Sequence, residues 1–184
     1  MKKLLMLAIA ATIAVTSQAA QFNWTISQVR EGWDDSSVKA AGTAYLFLVG
    51  TKDATEAAVA SAISSATSAS ALGSALAAMA IDTKDLTSGS AGGLTADGIA
   101  ATAPASLFFA VLSDDGYAYQ GSAIQVTTIE TLGSTEVLFG SQKTATSSST
   151  AWTNAGGGGA VPEPTSGLLL LVGAGMLALR RKQK

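Results

Sequence analysis

The chain has 184 residues and 18.3 kDa and contains neither Cys nor His, which excludes disulfide frameworks, Cys/His zinc sites, thiol nucleophiles and the Ser-His-Asp triad. Hydrophobic residues make up 48% of it, yet only 6% are aromatic and 36 are Ala, so each apolar side chain buries little area and the core must be thin. Between Ala20 and Ala160 five basic residues face twelve acidic ones, a net of −7, and this argues against a nucleic-acid partner because phosphate recognition rests on clustered Lys and Arg.

The chain opens with Lys2 and Lys3, an apolar run over 4–15, and then Thr16, Ser17, Gln18, Ala19 and Ala20. A charged start, an apolar middle and a small-residue end are the parts of a secretory signal. A cut after Ala19 puts Ser17 and Ala19 at the two small-residue positions; a cut after Ala20 would put the larger Gln18 in the first of them. Residues 1–19 are therefore read as a signal helix, with Ser17, Ala19 and Ala20 bounding the cleavage region. The partners this implies are a Sec-type export machinery and a signal peptidase.

The exported domain is read over 20–143. A first strand alternates Trp24, Ile26 and then Val29, and Tyr45 to Val49, ended by Gly50, is a short buried strand. Asp53 with Glu56 three residues later predicts a helix start, after which Val59, Ile63 and Ala66 share a face. Gly73 breaks this helix or begins a second short one carrying Leu72, Leu76 and Met79 on one side. Ser, Gly, Thr and Ala dominate 83–104, which reads as an irregular excursion.

A second apolar run, 106–112, leads into Asp114, Asp115 and Gly116 and then Tyr117 to Gln120, a hairpin signal because Gly accepts positive φ and Asp supports the turn. Strands are predicted over 123–129 and 135–139. The fold class is mainly β: a small antiparallel β-sandwich or sheet with one short Ala-rich helical insertion.

Thr, Ser and Gly fill 144–160, a stretch too poor in apolar surface to offset its ordering, and it is read as a tether. Trp152 interrupts it, either packed back on the body or carried within the linker. Pro162, Glu163 and Pro164 follow, then an uncharged run over 167–179, then Arg180, Arg181 and Lys182. The run is only about 20 Å long as a helix against about 30 Å for a bilayer core. Helix extension through Thr165 and Ser166 and snorkelling basic stems compensate, so a single transmembrane helix is predicted over about 166–179. The basic cluster Arg180, Arg181 and Lys182 acts as its stop on the inner side.

This combination resembles the PEP-CTERM sorting signal of exported bacterial proteins, over 161–184, with its Pro-Glu-Pro core on Pro162, Glu163 and Pro164. The resemblance implies processing by an exosortase, a membrane-embedded cysteine peptidase, and a protein destined for the cell surface or extracellular matrix. The alternating strands, Ala-rich helix and Asp-Gly hairpin of the body resemble small uncharacterised proteins that carry the same signal. No activity comes with that likeness.

Three residue patterns of the body bear on chemistry. Ser36 to Lys39 has Ser-x-x-Lys spacing, but Ser-Asp-Asn and Lys-Thr-Gly are missing, and Lys143, Thr144 and Ala145 fail at the last position. Asp34 with Asp35, Asp82 with Asp85, and Asp114 with Asp115 would supply paired carboxylates for an extracellular hydrolase, provided two of them converge in a cleft. Trp24 and Trp33 exposed on one face would instead favour a module binding extracellular polysaccharide. The reading adopted is a non-enzymatic surface protein with no catalytic, cofactor or metal site of its own, held by membrane lipid through its C-terminal helix at least transiently.

Overall fold

In the computed structural model, which describes residues 18–156 apart from 97 and 131, the two longest apolar runs of the body become neighbouring strands. The described residues begin with β1 (Gln18–Ala20), β2 (Phe22–Ser27), β3 (Arg30–Glu31), β4 (Asp35–Lys39) and β5 (Gly42–Leu48). Two helices follow, α1 (Glu56–Ser65) and α2 (Ala69–Met79). Then come β6 (Asp82–Leu86), β7 (Ala91–Leu94), β8 (Ile99–Ala101), β9 (Ala105–Ser113), β10 (Tyr117–Gln120), β11 (Ile124–Val126) and β12 (Thr135–Ser141). The last described elements are α3 (Lys143–Thr146), a 3-10 turn (Ser149–Ala151) and β13 (Thr153–Asn154).

The larger sheet runs β13-β10-β9-β5-β6, with β11 also paired to β9. Its centre is the antiparallel β5–β9 pair, in register from Gly42↔Ser113 to Leu48↔Leu107. Both strands are buried on both faces, which is why they read as unbroken apolar runs rather than as alternation. On one face Leu46, Leu107, Phe109 and Val111 meet Phe22, Trp24, Ile26 and Val137 of a second sheet, ordered β12-β2-β7. On the other face Phe47, Phe108 and Ala110 meet Val59, Ile63, Leu72 and Leu76 of the two helices. Sheet, sheet and helix pair make three layers around two apolar clusters.

Several expectations are corrected. The pairing is antiparallel except between β12 and β2, which run parallel with Thr135 opposite Phe22. Alternation fixes which face of a strand is buried but not its direction, and the long connection between these two strands permits either. The cap of α1 is Thr55, not Asp53: Thr55 is extended, at φ −135° and ψ 156°, and its hydroxyl accepts from the Ala58 amide. Asp53 instead has φ 59° beside Lys52 at φ 51°, within the turn that follows β5. Asp tolerates left-handed backbone, so the turn claims it before the helix does.

The helical insertion is two helices, broken at Ala66 rather than at Gly73, and Ser68 caps the second by accepting from Ala71. The segment 83–104 is not an irregular excursion, because it supplies most of β6 and all of β7 and β8. Gly92 and Gly93 hide β7 from propensity arguments, yet closeness demands the first of them: a Cβ on Gly92 would stand 2.2 Å from the Trp24 carbonyl oxygen. The strand expected over 123–129 is confined to Ile124–Val126.

The tether expected from Thr144 is also corrected. Residues Lys143 to Asn154 fold onto the body as α3, the 3-10 turn and β13, with Thr146 fully buried and Trp152 5% exposed.

Candidate functional site

The C-terminal segment of the body is a latch built on one aromatic side chain and one hydroxyl. Trp152 packs edge-on against Trp33, with ring centroids 4.4 Å apart, and tilts against Tyr119. Its indole Nε1 donates to the Thr146 carbonyl oxygen at 3.1 Å. The Thr146 hydroxyl donates to the Gln142 carbonyl at 2.7 Å and accepts from the Arg30 amide at 3.0 Å, so this polar residue is buried with its partners met. Gly32 makes room for the turn, since a Cβ there would stand 2.0 Å from the Thr146 carbonyl oxygen. β13 then pairs with β10 in the register Tyr117↔Asn154, and the Ala155 amide donates to the Gly116 carbonyl at 2.8 Å. Composition concealed all of this, because a Ser/Thr run with one Trp is docked by hydroxyl bonds and a single ring rather than by an apolar stripe.

The carboxylates are redistributed relative to the pairs read in sequence. Asp82 carries structure: its Oδ2 accepts the Trp24 indole N–H at 2.8 Å and stands 3.4 Å from the Lys84 ammonium. Asp85 is exposed, and it lines an open cleft at the start of β5 with Asp114 and Lys39. Asp34 and Asp35 are exposed at the β3–β4 turn, where the Asp35 carboxylate accepts from the Ser37 amide at 2.8 Å and is held below its ordinary pKa by that residue. Glu31 lies among like charges: burial, then Asp115, Asp34 and Asp35, raise its pKa above the ordinary carboxylate value. Sequence reasoning missed this grouping, since Asp115 joins the others only through the β9–β10 turn.

The remaining candidates separate. Trp24 is fully buried, so it forms no exposed platform with Trp33, which is half-buried and stacked on Tyr117 at 5.0 Å and 7°. Ser36 and Lys39 lie three apart in β4 and so point to opposite faces of the strand. A second cleft, at the opposite end of β9 from Gly116, is lined by Leu48, Val49, Ala101, Pro104, Ser106 and Gln125 among others, all of them without titratable side chains. Among the described residues no group of three or more Asp or Glu side chains is placed to hold a metal ion.

Of the cleavage-region residues, Ala19 and Ala20 belong to β1 and pair with Ala100 and Ile99 of β8; Ala20 is buried. Ser17, the motif residues Pro162, Glu163 and Pro164, and the cluster Arg180, Arg181 and Lys182 lie outside the described residues, as do the signal helix and the span at about 166–179. Among the described residues no helix is long and apolar enough to cross a membrane.

Residues 160–183 match the family described as the PEP-CTERM protein-sorting motif, and the chain carries that sorting domain. The motif supports exosortase-type sorting to the cell surface. Comparison with curated proteins and with solved structures finds no match.

Proposed function

We propose that the chain is an exported precursor whose body is a non-enzymatic component of the cell surface or extracellular matrix. The sorting motif at 160–183 is the observation that carries this reading. In this account the N-terminal signal passes the chain to a Sec-type machinery and a signal peptidase. The apolar run over 167–179 then halts in the bilayer with Arg180, Arg181 and Lys182 on the inner side. Pro162 and Pro164 lack amide donors and disfavour helix in the residue before each, so they keep the outer edge extended where an exosortase-type peptidase grips it.

Two of the body's carboxylates have structural partners. Asp82 is consumed by Trp24 and Lys84, and Asp35 by its own turn. The acidic excess of the body serves solubility outside the cell. The experiment is replacement of Pro162, Glu163 and Pro164 by Ala, followed by fractionation. Accumulation of full-length precursor in the membrane is expected, and normal release of the variant would overturn the sorting role.

A further inference from the structure

Among the described residues the last that is buried and backbone-bonded is Ala155, and Pro162 stands seven positions later in the sequence. From Gly156 to Pro162 the chain advances six residues, at most about 20 Å when fully extended. Had the tether begun at Thr144, the same motif would hang on a reach of about 60 Å. The difference is made by the latch alone: Trp152 on Thr146 and Trp33, Thr146 on Arg30 and Gln142, and β13 on β10.

A body of this size has a radius of gyration of about 14 Å. A spacer of at most about 20 Å keeps the motif close to a body of that size, which then competes for space with a membrane-embedded peptidase. The described body ends beside Gly116, at the end carrying the β9–β10 turn with Asp114 and Asp115. We propose that the latch is a spacer device: while Trp152 is docked it restricts access of the processing peptidase to Pro162, Glu163 and Pro164, and undocking it lengthens the reach and speeds cleavage. The proposal rests on the sorting reading above.

The latch is built to yield before the rest of the body. β13 is a two-residue strand at the sheet edge, α3 is a single turn, and most of the side chains between Lys143 and Gly156 are exposed. Such terminal elements open at lower free energy than the central β5–β9 pair.

The test follows conversion of the full-length precursor in cells that possess the processing peptidase, by pulse labelling. Three chains are compared with the wild type: W152A, which releases the latch; a ten-residue Gly/Ser insertion after Gly156, which lengthens the reach with the latch intact; and the Pro162, Glu163, Pro164 to Ala variant. Both W152A and the insertion are expected to shorten the half-time of conversion severalfold, and combining them is expected to add little. An insertion that leaves the half-time unchanged or lengthens it overturns the spacer role, whatever W152A does to folding. Failure of the sorting reading looks different: the triple-Ala variant is converted like the wild type, or the wild type is not converted at all, and either result overturns both.

Discussion

The Trp152 indole reaches back six residues to the Thr146 carbonyl oxygen and closes the C-terminal end of the body on itself. This turn is accommodated only because Gly32 lacks a side chain, since a Cβ there would lie 2.0 Å from that same oxygen. Gly32→Ala is therefore expected to displace backbone rather than a flexible side chain, at a cost of about 2–3 kcal/mol. A urea midpoint falling accordingly, with loss of near-UV signal from Trp152, checks this; an unchanged midpoint would mean that the latch does not sit on Gly32.

The cap of α1 gives a paired prediction. Thr55→Ala removes the hydroxyl that accepts from the Ala58 amide, and about 1 kcal/mol of stability should go with it. Asp53→Ala, at the position that sequence reasoning favoured, touches no helix amide and should not reproduce a cap loss, although its left-handed backbone gives Asp a small advantage over Ala. Denaturation midpoints of the two variants decide which residue starts the helix.

Trp24 is fully buried, and its indole N–H is met by Asp82. Asp82→Ala strands that donor and should cost about 1–3 kcal/mol, whereas Asp82→Asn keeps an acceptor and should cost less. Equal losses in the two variants, measured by thermal unfolding, would show that the hydrogen bond is not what makes Asp82 matter.

Glu31 predicts a pH dependence with a definite sign. Its folded pKa is raised, first by burial and then by Asp115, Asp34 and Asp35, so the folded state binds the proton more tightly than the unfolded chain. Stability contributed by Glu31 is present below its unfolded pKa, near the ordinary 4.5, and is lost as pH rises through the higher folded value. Glu31→Gln should therefore raise the urea midpoint at neutral pH and lose that advantage in acid. A gain that persists at low pH would assign the effect to packing instead of charge.

How far the sequence discloses this fold depends on which force shapes each part. The β5–β9 centre, the hairpin at Gly116 and the buried faces of α1 and α2 were legible because apolar runs, positive-φ glycine and helical spacing each leave a local pattern. β7 was not, because Gly92 is chosen for closeness to Trp24 and carries no strand propensity. The latch was not, because Thr146 is held by two local hydrogen bonds, to Gln142 and from Trp152, and by one from Arg30, more than a hundred positions away, and Ser/Thr composition reads the same whether hydroxyls meet protein or water. The parallel pairing of β12 with β2 is non-local in the same way. The sorting motif, by contrast, was fully legible, since prolines, apolar run and basic tail act in sequence order.

The account is tested most directly by intact-mass and terminal-peptide spectrometry of the protein recovered from the cell surface. An exported and sorted protein should begin near Ala20 and lack Lys184, with Trp152 still present at the end of its folded body. Recovery of a surface form that retains both Met1 and Lys184 would contradict it.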